Sequence, residues 1–340
     1  MNITQVIFSK KLGGAERHVA DLSNFLSSEH NVQVIIRRSA RNRGLEKNIR
    51  YLLNDKVSVV EVSPPFYGFK IKRLIKNFGT QVIHAHLGNA ARVVQTINSV
   101  PTVATLHGDY KHKCYKNIDA LICVANWQKK NLRKKFTGEV LVIPNFLSQK
   151  SDTDLSNQSL RHLLGVGEKD FILGSVGRMD PLKGFNVLID AFSQAALPNI
   201  KLVLVGDGPE YVKLSETYRN KNIIFAGWQD TPSAFYKLFD LYICPSLSES
   251  FGLNMLEAMS FGLPVISTKT NGAMEFLTPE NAKLVSINSA DEIKVAIVEL
   301  YNDRRLMNRL ALQGELTAQE FEASKILPQL VMLYRRLAAV

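Results

Sequence analysis

Residues 244–267 read CPSLSESFGLNMLEAMSFGLPVIS, and the fold of the chain can be worked out from this stretch. An apolar strand, Leu241-Tyr242-Ile243-Cys244, runs into it and is closed by Pro245. The chain then turns through Ser250-Phe251-Gly252 into a short helix, on which Leu253, Leu256, Met259 and Ser260 recur at helical spacing. Gly262 stops that helix, and Pro264 opens a second strand, Val265-Ile266-Ser267. Glu249 therefore sits on a loop at a strand's carboxyl end, and Glu257 lies one to two turns into the helix. At the helix start the N–H groups of Phe251, Gly252 and Leu253 have no intrahelical acceptor, so with the helix dipole they attract anions, phosphate above all. Carboxylates accept hydrogen bonds from sugar hydroxyls. A phosphate site between two of them points to a nucleotide sugar.

The string Glu-Ser-Phe-Gly-Leu, then Glu-Ala-Met, then Gly-Leu-Pro-Val-Ile resembles the E-x7-E signature of the retaining glycosyltransferases of GT-B fold, family 4 type (glycosyl transferases group 1). Two glutamates eight apart are common on surface helices, but the whole string is much rarer. Ser250 stands where the family often has Pro, and Ser is also a good helix-start residue. The resemblance implies two Rossmann-like, doubly wound α/β domains facing across a cleft, with a terminal helix crossing back to the first. It also implies transfer of a hexose or N-acetylhexosamine from a nucleotide-diphosphate sugar with retention. Glu257 is expected on the donor ribose and Glu249 on the transferred sugar.

Reading outward, the pattern of the first half agrees. Strands are expected at Asn2–Phe8, Val32–Ile36, Val57–Val62, Val82–His84, Thr102–Leu106, Ala120–Val124 and Val140–Ile143. Helical segments fall at Ala15–Ser28, Phe69–Phe78, Asn89–Asn98 and Asn126–Phe136, which is the βαβ rhythm of a parallel sheet. Pro144-Asn145-Phe146 ends the rhythm where the family has Pro-Asn-Gly, and the polar stretch Ser148–Ser159 reads as a linker. A second alternation follows at Phe171–Val176, Lys201–Val205, Ile223–Ala226, Leu241–Cys244 and Val265–Thr268, and Ala290 to Val340 reads as helical. The expected domains are 1–147 (acceptor side), 148–322 (donor binding) and the returning helix 323–340.

Further residues carry chemistry. Arg178 and Lys183, in GRMDPLKG after the second domain's first strand, lie at a strand's carboxyl end, where open α/β sheets bind ligands. Two fixed cations suit a diphosphate that gains charge as the glycosidic bond breaks. The resemblance makes them the donor's phosphate clamp, joined by the amide of Gly14 in Gly13-Gly14-Ala15-Glu16, and it assigns Gly206–Glu210 and Asn271–Glu275 to the nucleotide pocket. His84-Ala85-His86 and His107-Gly108-Asp109 end two strands. Three histidines and a carboxylate would suit zinc, but they lack metalloprotease spacing. No Asp-x-Asp lies in a plausible metal-binding loop and Arg178 with Lys183 would stand in for a cation, so no metal or other cofactor is expected. By resemblance His107 is the active-site histidine that shapes and stabilises the sugar cation. Two alternatives stay open: an epimerase or hydrolase of the same fold, and a non-catalytic sugar-nucleotide-binding subunit.

Charge is split unevenly. Residues 1–150 carry 24 Lys+Arg against 9 Asp+Glu, a net of +15; the remainder carry 18 against 22, a net of −4, which sums to the overall +11. A basic half needs an acidic partner. No nucleic-acid motif is visible, so the expected partners are the nucleotide sugar, a glycan or glycolipid acceptor and an anionic membrane surface. The expected membrane face is Phe66, Tyr67, Lys70, Lys72, Arg73, Lys129, Lys130, Arg133 and Lys134. No apolar run reaches the ~18 residues of a spanning helix. Cys114, Cys123 and Cys244 form no CxxC and read as reduced thiols, so a cytoplasmic location is expected, and the basic half makes the inner face of the membrane the expected place within it. The basic charge makes lipopolysaccharide or another surface glycan the expected pathway, with UDP favoured over GDP as the donor nucleotide.

Overall fold

The computed structural model describes residues 1–9, 12–38, 49–132, 136–148, 156–230 and 232–339. The chain divides into two compact units: Met1–Asn145 with Ile326–Val340, and Phe146–Lys325. Each is a parallel sheet covered by helices, the Rossmann-like pair of the GT-B fold.

In the first unit, β1 (Asn2–Ile7), β2 (Asn31–Arg37), β3 (Val57–Val62), β4 (Val82–His86), β5 (Thr102–Leu106), β6 (Ala120–Cys123) and β7 (Glu139–Val142) form one sheet in the order β3-β2-β1-β4-β5-β6-β7. The connecting helices are α1 (Gly14–Leu26), α2 (Tyr67–Phe78), α3 (Leu87–Val94), α4 (His112–Tyr115) and α5 (Asn126–Asn131). The direction of the sheet reverses between β1 and β4, which pair with Gln5 opposite His84 and Ile7 opposite His86. Side chains alternate along β4: Ile83 and Ala85 enter a core shared with Val6, Ala104 and Leu121, while His84 and His86 project from the other face.

The second unit contains α6 (Asn157–Leu164), β8 (Phe171–Val176), α7 (Phe185–Ala195), β9 (Ile200–Val205), α8 (Tyr211–Thr217), β10 (Ile223–Gly227), α9 (Ser233–Leu238), β11 (Leu241–Cys244), α10 (Leu253–Ser260), β12 (Val265–Thr268) and β13 (Lys283–Val285), followed by α11 (Ala290–Asn302) and α12 (Arg304–Gln319). Its sheet order is β10-β9-β8-β11-β12-β13, with the reversal between β8 and β11. Leu173, Leu202, Leu204, Leu241, Ile243 and Ile266 build its core against α7 and α11. The last helix, α13 (Ala323–Ala338), joins the first unit from Ile326 onward, burying Ile326, Leu327, Leu330, Leu333 and Tyr334. Each such side chain contributes roughly 1.5–3 kcal/mol, so the helix is firmly held.

The structure corrects several sequence-based boundaries. The polar stretch 148–159 is not linker throughout: α6 begins at Asn157 because Ser156 caps it, its hydroxyl accepting from the Ser159 N–H at 3.1 Å. Residues 149–155 lie outside the described part. The second helix starts at Tyr67, two residues early, and the third runs Leu87–Val94 rather than Asn89–Asn98. The fifth is helical over Asn126–Asn131, and residues 133–135 of its expected span are not described. β13 went unexpected because three residues are too few to show alternation.

Candidate active site

The 244–267 stretch forms the expected strand, loop, helix and strand. Gly252 precedes α10 with φ 93°, a left-handed conformation that an L side chain rarely adopts. No side chain caps the helix, so its first N–H groups remain to be satisfied from outside it. Asn254 anchors the helix start to the end of β8, its amide donating to the Val176 carbonyl at 2.9 Å. Glu257, on the fifth residue of α10, accepts from the Tyr236 hydroxyl at 2.8 Å. Tyr236 is buried on α9 and stacks on Phe261, so this carboxylate is fixed in place.

Glu249 is held by two other groups. The Ser246 hydroxyl donates to its Oε1 at 2.7 Å, and the Lys183 ammonium reaches the same oxygen at 2.6 Å. The carboxylate side chain is only 9% exposed and the lysine 24%. Burial opposes the lysine's charge, but the adjacent Glu249 together with Cys244 and Asp180 outweighs it, and the lysine pKa is raised. The contact depends on a close approach of two loops. Leu247 N–H donates to the Leu182 carbonyl at 2.7 Å, and Gly184, at φ 63°, packs where an added Cβ would overlap the Pro245 carbonyl. Sequence reasoning put Arg178 and Lys183 on one ligand. The structure brings Lys183 to Glu249, whereas Arg178 is exposed and pairs with Asp180 at 3.7 Å. Cys244 lies under this site, its thiol pushed up to about 11 by burial and by the Glu249 charge, so it is inert.

In the first unit the polar face of the sheet carries a buried hydrogen-bond chain. His86 Nε2 lies 2.8 Å from Gln5 Oε1, and His86 Nδ1 lies 3.0 Å from His107 Nε2. Gln5 Nε2 lies 3.4 Å from the Tyr334 hydroxyl, which is 2.5 Å from His84 Nδ1, and His84 Nε2 meets Thr105 Oγ1 at 2.7 Å. The terminal helix is thereby connected to His107, which is half-buried just past β5. His18, on the inward face of α1, completes a group with His86 and His107 in which one ring nitrogen of each lies within 4.8 Å of the others. Burial holds His18 at about 4 and His84 at about 3, and pushes His86 and His107 well below the usual histidine value, so all four rings are neutral at pH 7. Gly14 is the first residue of α1, and a Cβ there would meet nothing within 4 Å.

Gln5, His18, Ser246, Tyr236 and Tyr334 were missed from the sequence. Only His18 left a trace: with Leu22 and Leu26 at i+4 and i+8 it belongs to the buried stripe of α1.

Near the expected membrane face, Ile71 and Ile75 of α2 are buried, and Phe66, Lys72, Arg73, Lys76, Lys129 and Lys130 are exposed. Tyr67 does not belong to that face: it is part-buried, its ring 4.7 Å from Phe8. Lys70 donates to the Ser63 carbonyl at 2.7 Å, and Phe69, 72% exposed, joins the face instead. Arg133 and Lys134 lie outside the described residues.

Residues 157–316 match the group 1 glycosyl transferases, and residues 12–149 match glycosyltransferase family 4. The chain belongs to this glycosyltransferase family. The chain is 29% identical over 329 residues to the lipopolysaccharide core biosynthesis glycosyltransferase LpsE of Rhizobium meliloti, covering 93% of this chain and 94% of the relative. It is 28% identical to the UDP-Gal:alpha-D-GlcNAc-diphosphoundecaprenol alpha-1,3-galactosyltransferase of Escherichia coli, over 69% of this chain and 70% of that one. The crystal structure of Anabaena HepE in complex with UDP and glucose superposes with a TM-score of 0.84 at 22% identity, over 99% of this chain and 100% of that chain, which establishes the shared GT-B fold. In the second unit of this chain, the E-x7-E stretch and the GRMDPLKG loop meet at Glu249. Among the described residues no helix is long and apolar enough to cross a membrane.

Proposed function

We propose that this glycosyltransferase moves a hexose or N-acetylhexosamine from a UDP-sugar to a glycan or glycolipid acceptor in the assembly of a surface polysaccharide, such as lipopolysaccharide, with retention at the anomeric carbon. The observation that carries the reading is the arrangement around α10: an uncapped helix start, Glu257 fixed by Tyr236, and Glu249 fixed by Lys183 and Ser246. Phe251, Gly252 and Leu253 N–H groups take the diphosphate at the helix start, Glu257 accepts from the ribose hydroxyls, and Glu249 accepts from the transferred sugar. Lys183 has three N–H donors, one of which is spent on Glu249, so two remain for phosphate. Arg178 adds a second, exposed cation. These charges stabilise the leaving diphosphate without a divalent metal. In the first unit, His107 and the Gly14 amide are the candidate residues, and the neutral His107 ring suits the stabilisation of a sugar cation. No carboxylate is an obvious covalent nucleophile, so the acceptor attacks on the face the diphosphate leaves, and the departing phosphate oxygen takes its proton. Relatives whose names include lipopolysaccharide core biosynthesis and a diphosphoundecaprenol acceptor support the pathway and the acceptor class. The exposed Phe66, Phe69, Lys72, Arg73 and Lys76 support docking on an anionic membrane surface, where such an acceptor resides.

The test is a thermal-shift screen of UDP-, GDP-, ADP- and dTDP-sugars, since a ligand at 100 times its Kd stabilises by about 2.7 kcal/mol. Transfer to lipid-linked acceptors follows, with the product anomer read by NMR, in EDTA and with added Mg2+ or Mn2+. Stabilisation by UDP-sugars and an anomer matching the donor, unchanged by EDTA, are expected. An inverted anomer, or activity lost in EDTA and restored by a metal, would overturn the mechanism, and donor turnover without an acceptor would point to a hydrolase or epimerase.

A further inference from the structure

The three-histidine group has a geometry that hydrogen bonding alone does not require. The ring centroids of His18 and His107 lie 5.1 Å apart, those of His86 and His107 5.3 Å, and those of His18 and His86 5.9 Å. A tetrahedral zinc ion with Zn–N bonds of about 2 Å places the centroids of any two imidazole ligands about 5 Å apart. It places their ligating nitrogens about 3.3 Å apart, close to the 3.0 Å between His86 Nδ1 and His107 Nε2. The three rings come from three elements, α1, the end of β4 and the turn after β5, so they enclose a point instead of lining one helix face.

Two chemical features strengthen the case. His86 donates from Nε2 to Gln5 Oε1 at 2.8 Å, which leaves Nδ1 with its lone pair toward the triangle. Such an outer hydrogen bond to a carbonyl oxygen is the usual support of a metal-bound imidazole. The neutral imidazole is also the form that binds metal. His107 needs only to carry its proton on Nδ1 for Nε2 to ligate, so binding releases no net proton. Imidazole donors select zinc, copper or nickel over magnesium and calcium.

We propose that His18, His86 and His107 form a site for a zinc-class divalent ion that inhibits the enzyme by occupying His107. Three protein ligands leave the fourth position to water or a hydroxyl of a bound sugar. The ion is no cofactor of the transfer proposed above. Only its inhibitory effect rests on that reading, and the binding is measured without turnover.

The experiment titrates chelator-stripped full-length protein with Co2+, then with Zn2+. One equivalent of Co2+ per chain with the intense visible absorption of a tetrahedral site, displaced by Zn2+ and not by Mg2+, is expected. His18→Ala should abolish the tetrahedral spectrum, Gln5→Met should weaken Zn2+ affinity about ten- to a hundredfold, and His112→Ala, at an exposed histidine, should change nothing. The wild-type spectrum tests the site even if a variant misfolds. A weak octahedral spectrum, or equal Zn2+ affinity in wild type and folded His18→Ala, refutes it. In the transfer assay Zn2+ should inhibit wild type, with EDTA restoring full rate, and spare a folded His18→Ala enzyme. Tight binding without inhibition would keep the site and overturn its inhibitory role.

Discussion

Replacing Lys183 by methionine should destabilise the second unit through Glu249. The substitution keeps most of the apolar stem and removes the ammonium 2.6 Å from Oε1. The carboxylate left behind is 9% exposed and retains the Ser246 hydroxyl at 2.7 Å, so water cannot fully replace the lost cation. Removing one partner of a fully buried ion pair costs about 3–5 kcal/mol. A hydrogen bond to a charged group contributes about 1.5–3 kcal/mol. Lys183 is a quarter exposed, so the lower range governs, and about 2–3 kcal/mol is expected. For a unit of this size that corresponds to a Tm drop of roughly 4–12 °C. The control is the double variant Lys183→Met with Glu249→Gln: a neutral amide needs no cation, so more than half of the loss should be recovered. The assay is calorimetry or urea denaturation of all four members of the cycle. UDP titration of the same proteins separates folding from binding, and Lys183→Met should bind UDP about tenfold more weakly. If the single variant unfolds within about 1 kcal/mol of wild type, or the glutamine recovers nothing, the uncompensated carboxylate is the wrong explanation.

Other perturbations separate the roles of neighbouring groups. Glu257→Ala should weaken binding of the free nucleotide, and Glu249→Ala should nearly spare it while transfer collapses; equal loss in both, by calorimetric titration, contradicts the split between ribose and sugar. Tyr334→Phe strands His84 Nδ1 and the Gln5 amide, at a cost of about 1–3 kcal/mol read as a lower urea midpoint; an unchanged midpoint would show that the chain between α13 and the histidines does not hold the helix. Replacing Lys72, Arg73 and Lys76 by Gln should release the protein from anionic vesicles, since each cation contributes about 1 kcal/mol, and leave turnover of a soluble acceptor intact. Binding by wild type should weaken with salt, because exposed charges are screened beyond about 10 Å at 0.1 M. Flotation that does not distinguish anionic from neutral lipid rules out the membrane face.

The legible part of the site is the part built from local chain. Glu249 precedes one turn and Glu257 lies in the helix that follows, so their spacing, the glycine before the helix and the glycine after it are all visible in a single stretch. The same holds for GRMDPLKG, where Asp180 caps a short helical turn and Gly184 follows in the left-handed region. What these loops do to each other was not legible. Lys183 and Glu249 stand 66 residues apart, and no periodicity states that one loop will fold onto the other. The membrane face shows the same limit: cations on α2 could be read off, but Tyr67 packs on Phe8 and Lys70 turns back to Ser63, contacts that belong to strands elsewhere in the chain.

By itself the sequence determined the two parallel α/β sheets, the strand-loop-helix that presents the two glutamates, and the family. The sheets and the strand-loop-helix rest on periodicities, caps and turns set by residues within a few positions of one another, and the family rests on the resemblance of the string that holds Glu249 and Glu257. The tertiary structure alone decided that the buried Gln5, His18, His86 and Tyr334 and the half-buried His107 gather on one face. Gln5 and Tyr334 lie 329 residues apart. They meet because the sheet reverses direction beside β1, which sets β4 against it, and because α13 returns to cover that same face. Strand order and helix return are properties of the whole chain's packing. A histidine in an apolar run carries the same local signal whether its ring ends in a core, a hydrogen-bond chain or a metal site.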